Sequence, residues 1–236
     1  MPYFLSTTNI SLHQPIQFSE EELRHLLLSR RIKVGEQVLV QGPDGKRFRA
    51  VVKGLQKKSA EIIATEPVAV PPEPQTKVAL LQAMVAEKAL DFILQKGTEL
   101  GVAEIVLWNS ENTATRISET TFLKKQERWT KILWEAAKQS ERSRIPALKF
   151  LPGIAGLVGY AKSADILIVL DASANQAIAD YVPKKNIVVC IGPEGGLTTS
   201  EIAHLVAAGG VSARMGQIVL RAETAALAAI AVCVNA

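Results

Sequence analysis

Short apolar runs alternate with helical patterns through the second half of this 236-residue chain. The runs cover residues 78–81, 105–108, 165–170 and 187–191. Strands that helices cover on both faces are apolar along most of their length, as in parallel sheets. Between and after the runs, amphipathic spacing or helix signals predict helices over about 87–100, 121–140 and 198–209, and a last, almost wholly apolar helix over 224–234. The sequence therefore predicts an α/β domain.

The first seventy residues have a different pattern. Ser19 and Glu22 form a capping-box signal for a short helix over about 20–28. Alternating segments at 37–40 and 47–52 flank the turn Gly42–Gly45, and a further strand is expected at 61–64. Several short strands in so few residues predict a small β-barrel.

A proline-rich segment separates the two patterns. Residues 67–74 contain four prolines, which stiffen an extended linker. We therefore place two domains, at residues 1–70 and 71–236.

Positive charge is concentrated in the first domain. From Arg24 to Lys58 the chain has ten Lys or Arg residues and two acids. Such a patch indicates a polyanionic partner, because nucleic-acid affinity depends largely on neutralised phosphates. The alternative is a solvated basic face. The cations closest to the predicted hairpin are Lys46, Arg47, Arg49 and Lys53.

The remaining features limit the class of protein. Cys190 and Cys233 lie in apolar runs and are expected to be buried free thiols in a reducing compartment. The three histidines match no metal-ligand spacing, so no metal is expected. No signal-peptide pattern and no apolar run of ~18 residues is present. We expect a cytoplasmic protein without a membrane anchor.

Two loops near the end of the chain have the composition of ligand-binding loops. Gly192–Gly196 follows an apolar run, and Met215–Ala225 leads into the last helix. The first loop matches neither the phosphate-binding nor the dinucleotide-binding glycine pattern, although its glycines permit close approach to a ligand. Arg221 and Glu223 either form a structural ion pair or flank the mouth of a cleft between the loops.

These segments resemble the RsmE family of ribosomal RNA methyltransferases, which belong to the SPOUT class. The resemblance rests on the motifs 191–196 and 220–225, with further matches at 98–102 and around Glu135, Gln139, Arg142 and Pro146. In the first domain it includes His25, Arg31, Gly35 and the pair 44–45. It covers nearly the whole chain.

The resemblance implies a fold, a cofactor and a reaction. The fold is an N-terminal PUA-like RNA-binding β-barrel followed by a C-terminal α/β SPOUT domain, with a trefoil knot over about 187–236. The reaction is methylation of N3 of one uridine in 16S ribosomal RNA of the small subunit, by a homodimer that uses S-adenosylmethionine. The residues expected to bind this cofactor are Leu170, Ile191, Gly192, Glu194, Gly196, Met215, Gly216, Val219 and Leu220.

The implied reaction assigns roles to further side chains. Uracil N3 carries a proton that must leave before attack, so a base and a cation near the developing anion are required. Arg221 is the candidate cation, and Glu223 or Glu194 the candidate base. For RNA we expect contacts from Arg31, Arg47, Arg49, Gln139 and Arg142. Steps of four and three place Glu135, Gln139 and Arg142 on one helical stripe, which could equally be a surface hydrogen-bonding row.

Two positions depart from the family's pattern. Asn112 stands where the family commonly has Arg, and Gln217-Ile218 where it usually carries Arg after the glycine of the last loop. Arg116 could replace the first missing cation. Two alternatives therefore stay open: a SPOUT RNA methyltransferase with a different acceptor, and a non-catalytic RNA-binding assembly factor.

Overall fold

The computed structural model describes residues 1–235, and Ala236, the last residue of the predicted second domain, lies outside them. The chain divides into two compact units. The first contains Met1–Pro72 together with Glu141–Arg144, and the second contains the rest of the described chain. The first unit therefore takes four residues from the middle of the predicted second domain.

The first unit is built on a four-stranded sheet in the order β1-β2-β3-β4. These strands are Tyr3–Leu5, Gln37–Gln41, Arg47–Leu55 and Ala60–Val68. β1 pairs with β2 in parallel, whereas β2, β3 and β4 are antiparallel. The short helix α1 (Glu20–Arg24) continues into a π-helical turn at His25–Ser29, and alternate strand residues such as Val38, Val40 and Val52 form the core.

The first of the two hydrogen bonds expected of the Ser19–Glu22 capping box is confirmed. The Ser19 hydroxyl accepts a hydrogen bond from the Glu22 backbone at 3.1 Å. The Glu22 carboxylate accepts one from the backbone of Leu5 at 2.8 Å. This second bond ties the helix to β1, a strand that the sequence pattern did not predict.

The second unit contains the expected parallel sheet, with six strands in the order β10-β8-β9-β5-β6-β7. All five pairings are parallel. The four predicted strands are confirmed as β5 (Lys77–Ala83), β6 (Glu104–Trp108), β8 (Ile166–Leu170) and β9 (Asn186–Ile191). The edge strands β7 (Ala147–Leu151) and β10 (Val211–Ala213) are additional.

Helices cover both faces of this sheet. They are α2 (Glu87–Glu99), α3 (Glu119–Gln139), α4 (Val158–Ser163), α5 (Thr199–Ala207) and α6 (Ala222–Val234). In β9, Ile187, Val189 and Ile191 join one apolar cluster, while Val188 and Cys190 join the other. This alternation between two buried faces explains why the strands are apolar throughout.

The two cysteines are free and buried, as expected. Burial raises the pKa of both thiols, that of Cys233 to about 12, and the nearby Glu201 charge raises the pKa of Cys190 further.

Because the thiolate is the reactive form, we expect no reaction of the native protein with a disulfide reagent at pH 8. The same reagent should titrate two thiols in guanidinium. Rapid reaction of either thiol in the native protein would contradict this packing.

Candidate functional site

The two glycine-containing loops lie beside each other at one edge of the parallel sheet. β10, β8 and β9 are neighbouring strands, and the segments after their carboxyl ends line one open cleft of about 330 Å³. Parallel sheets commonly bind ligands in such a position. The sequence-based expectation that both loops surround one space is therefore met by the geometry.

All nine residues expected to bind the cofactor line this cleft. They include the last residues of β8 and β9, Leu170 and Ile191. The loop after β9 contributes Gly192, Glu194 and Gly196, and the last loop contributes Met215, Gly216, Val219 and Leu220. Six further lining residues belong to the two loops singled out in the sequence but were not among the predicted cofactor-binding residues: Pro193, Gly195, Gln217, Ile218, Ala222 and Ala225. Three others lie outside both loops: Asp171, Ala172 and Leu197. For these three residues, the only signal in the sequence is their position directly after a predicted strand or loop.

The first loop is folded tightly on itself. A Cβ atom on Gly192 would lie 2.8 Å from the Leu197 backbone nitrogen and 3.0 Å from the Gly196 carbonyl carbon. The Gly196 backbone donates to the Pro193 carbonyl at 2.9 Å, and Gly196 has a φ of +71°. Glycine is therefore required at position 192 for close approach and is favoured at 196 by conformation.

Glu194 braces the loop. Its Oε1 atom accepts a hydrogen bond of 2.9 Å from the backbone of Ala86, the N-cap residue of α2, which has no side-chain cap of its own. Carboxylates are stabilised at helix N-termini because free N–H groups and the helix dipole favour negative charge there. Glu194 thus lines the cleft while holding the loop against α2.

The second loop is held differently. Within residues 1–235, the backbone N–H groups of Met215 to Leu220 form no hydrogen bond. Ile218 and Val219 are each 80 % exposed. Backbone groups are strong donors and acceptors that are paired wherever water is excluded. A ligand in the cleft would therefore find unpaired backbone donors on this side.

Asp171 is the acidic group that lines the cleft after β8. Burial acts to raise its pKa, but hydrogen bonds from the Ser173 hydroxyl, the Ser173 backbone and the Ser212 hydroxyl outweigh burial, so the pKa is lowered. The carboxylate remains ionised at neutral pH. It gives the cleft a negative charge that suits a cationic ligand.

Arg221 and Glu223 lie at the start of α6. Arg221 is the exposed N-cap residue, and Glu223 is half-buried in the first turn. In the described part of the chain, neither side chain forms a hydrogen bond or an ion pair. The structural ion pair weighed above is therefore absent from residues 1–235. Ala222, between them, lines the cleft.

The expected RNA-binding residues have different surroundings. In the first unit, Arg31 is exposed, and Arg49 is partly exposed and paired with Glu66. Arg47 is 2 % exposed. Its guanidinium donates to the Glu141 carbonyl at 3.0 Å and lies 4.8 Å from the Tyr3 ring centroid. A side chain buried in this way does not reach an external phosphate.

The proposed stripe of Glu135, Gln139 and Arg142 is not formed. Gln139 is exposed on the last turn of α3, and the helix ends there. Glu141 has a φ of +57°, which takes the chain out of the helix. Arg142 belongs to the segment that is part of the first unit, so helical spacing does not relate it to Gln139.

The cleft has the properties that S-adenosylmethionine requires. Its lining combines apolar side chains such as Leu170, Ile191 and Met215 with glycine backbone, which suits an adenine ring held by main-chain groups. Asp171 supplies negative charge opposite a ligand that carries a sulfonium and an ammonium group. Within residues 1–235, no cluster of three or more His, Cys, Asp or Glu side chains could hold a metal ion.

Comparisons with known proteins place the chain among RNA methyltransferases. Residues 71–234 match the model of an RNA methyltransferase domain, and residues 18–65 match that of an RNA methyltransferase PUA domain. The ribosomal RNA small subunit methyltransferase E of Bacillus subtilis is 29% identical over 97% of this chain and 93% of its own length.

Two solved structures are similar over almost the whole chain. A putative methyltransferase from Legionella pneumophila, in complex with the cofactor SAM, has a TM-score of 0.90 and 28% identity over 98% of this chain and 95% of that chain. A ribosomal RNA small subunit methyltransferase E from Neisseria gonorrhoeae, bound to S-adenosyl methionine, has a TM-score of 0.88 and 30% identity over the same shares of the two chains.

Proposed function

We infer that this chain, which belongs to the ribosomal RNA small subunit methyltransferase E family, methylates RNA of the small ribosomal subunit with S-adenosylmethionine. The observation that carries this inference is the single cleft formed by the two terminal loops. The N-terminal unit supplies the PUA domain that the same family uses.

We propose that the acceptor is N3 of one uridine in 16S ribosomal RNA. This nitrogen becomes nucleophilic only after it loses its proton, and general-base catalysis typically contributes 10²–10⁴-fold to such a step. The target base must also be unpaired, or turned out of its stack, before its edge can be reached.

The nine cofactor-binding residues predicted from the sequence, all of which line the cleft, would hold the cofactor, which supplies an electrophilic methyl group when bound. We assign Arg221 the stabilisation of the uracil anion, because it lies between the lining residues Leu220 and Ala222 and its exposed side chain has no described partner. Glu223, two residues further along, would accept the N3 proton. Glu194 is a weaker candidate for this base, since its carboxylate already accepts a hydrogen bond from Ala86.

Cofactor binding is the first test of this function. Titration calorimetry of the purified protein with S-adenosylmethionine should show saturable binding, which both methyltransferase functions require. Absence of binding would favour the alternative of a non-catalytic assembly factor. Nucleoside analysis of methylated subunits would then separate N3-methyluridine from a different acceptor.

RNA recognition is proposed for Arg31, Arg49, Gln139 and Arg142, while Arg47 is left out because it is buried. We expect Arg142→Ala to raise the KM for small subunits about 10- to 150-fold, because a hydrogen bond to a charged group contributes roughly 1.5–3 kcal/mol. The Kd for S-adenosylmethionine should not change. Lys162→Ala, which removes an exposed cation from α4, is the matched control. Loss of cofactor binding in Arg142→Ala would contradict this placement.

We also propose a homodimer, a trefoil knot over about 187–236 and a cytoplasmic location. The dimer is supported by α6, whose side chains are apolar nearly all round while Leu227 and Val232 are only partly buried. The knot is supported by family membership and by strand order, since β9 lies between β5 and β8. No helix among residues 1–235 is long and apolar enough to cross a membrane. Sedimentation analysis tests the dimer.

A further inference from the structure

Glu201 is a buried carboxylate that does more than cap its own helix. It is 2 % exposed. With Thr198 it forms the capping box at the start of α5, in which Oε2 accepts from the Thr198 backbone at 2.9 Å. It also accepts from the Ser110 hydroxyl at 3.0 Å and from the Glu111 backbone at 2.8 Å. All three partners donate to the Glu201 carboxylate, which therefore joins Thr198 to the segment that contains Ser110 and Glu111.

The loop that Glu201 contacts also bonds the glycine loop directly. Asn112 follows Ser110 by two residues, and its amide Nδ2 donates to the carbonyls of Gly196 at 3.1 Å and Gly195 at 3.4 Å. A Cβ atom on Gly195 would lie 3.4 Å from that of Asn112. The segment after β6 is therefore joined to the glycine loop itself and to the helix that follows it.

This segment is itself rigidly built. Ser110 and Thr113 exchange two hydrogen bonds, of 3.0 Å and 3.2 Å. The Arg116 guanidinium donates to the Ser110 carbonyl at 3.1 Å, and the Asn109 side chain bonds both backbone groups of Ile117. A segment with so many internal bonds can fix the position of a neighbouring loop.

The two walls of the cleft thus differ in how they are held. The glycine loop is bonded from outside by Asn112, by Glu201 through α5, and at Glu194 by the backbone of Ala86. The backbone N–H groups of the opposite wall, Met215 to Leu220, form no hydrogen bond to any of residues 1–235. A site with one fixed wall binds its ligand at a lower entropy cost, because that wall is already ordered.

We propose that Ser110, Asn112 and Glu201 are positioning residues, which hold the glycine loop in its ligand-binding conformation without touching the cofactor. The inference rests on the proposed function as far as the ligand is concerned. Its structural part, the restraint of the glycine loop, applies to the protein without ligand.

The test compares Asn112→Ala and Asn112→Asp, with Ser110→Ala as a third variant. Asn112 is exposed, so its variants should fold normally. Asn112→Ala removes the two donated bonds and should weaken S-adenosylmethionine binding about five- to tenfold in calorimetry. Asn112→Asp should weaken it more, since a carboxylate would face two carbonyl oxygens. Ser110→Ala should resemble Asn112→Ala.

Glu111→Gln is the matched control. It changes a neighbouring exposed carboxylate and leaves the backbone N–H that Glu201 accepts, so its affinity should equal that of the wild type. In steady-state assays the Asn112 variants should raise the KM for S-adenosylmethionine more than they lower kcat, a split that a general loss of folded protein would not produce.

Hydrogen exchange without ligand separates this proposal from the proposed function. Amides of residues 194–197 should exchange faster in both Asn112 variants than in Glu111→Gln. If the wild type binds no S-adenosylmethionine, the proposed function fails, while faster exchange still supports the restraint. Unchanged exchange together with wild-type affinity in Asn112→Asp would overturn the positioning role.

Discussion

Replacing Gly192 by alanine is expected to weaken S-adenosylmethionine binding by roughly 10- to 100-fold. The added Cβ would lie 2.8 Å from the Leu197 nitrogen and 3.1 Å from the Leu197 Cγ. Backbone atoms must move to relieve the first contact, and forcing extra atoms into a packed site costs typically 1–3 kcal/mol. Because the same segment lines the cleft, its displacement should appear as lost affinity in calorimetry.

Gly159→Ala provides the control for this change. Gly159 lies within α4, where an added Cβ meets nothing within 4 Å. Alanine in a helix is favoured over glycine by up to ~1 kcal/mol, so this variant should bind normally and unfold at an equal or higher temperature. Wild-type affinity in Gly192→Ala would remove the glycine loop from the cofactor site.

Arg221→Ala is expected to lower kcat by about 10²–10³-fold while leaving cofactor affinity unchanged. Removal of one preorganised donor to a developing anion typically has this effect. The guanidinium is exposed at the N-cap of α6 and has no described partner, so its loss should not disturb the fold. Single-turnover methyl transfer with saturating cofactor measures the step directly.

The comparison variants for Arg221 are Arg221→Lys and Lys162→Ala. Lysine retains the charge without the planar fork of donors, so it should restore part of the lost rate. Lys162→Ala removes an exposed cation on another helix of the same unit and should be as active as the wild type. Full activity of Arg221→Ala would transfer the anion-stabilising role to another group.

Local patterns predict those parts of the fold whose residues lie close together in sequence. The four central strands are apolar because both faces are buried, and this pattern is visible in the sequence. β10 has three residues, and β7 lies at the sheet edge with Lys149 exposed. Short or half-exposed edge strands lack a continuous apolar run, so they were not predicted.

Most predictions that the structure corrected, or interactions that the sequence did not predict, involve contacts between residues far apart in the sequence. Arg47 and Arg49 have the same local pattern, yet Arg47 is buried by Glu141, which is 94 residues away. Arg142 leaves the helix because Glu141 adopts a positive φ, without a glycine or proline to indicate it. The capping box of Glu201 was predicted, whereas its bond to Ser110, 91 residues away, had no local signal.

The role of Asn112 at the candidate site likewise could not be predicted from the sequence. The sequence showed it only as a departure from the arginine that the family commonly has. In the structure its side chain is bonded to the glycine loop, and Arg116 lies next to it through bonds to the carbonyls of Ser110 and Glu111. A role in holding the loop could be recognised only once the two segments were seen together.

The most direct test of the proposed activity is methyl transfer to small ribosomal subunits from cells that lack this protein. The purified chain would be incubated with these subunits and methyl-labelled S-adenosylmethionine, and the RNA digested for nucleoside analysis. We predict that label accumulates as N3-methyluridine in 16S ribosomal RNA, at a level approaching one methyl group per subunit. Incorporation into another nucleoside, or none at all in a protein that binds the cofactor, would contradict the proposed reaction.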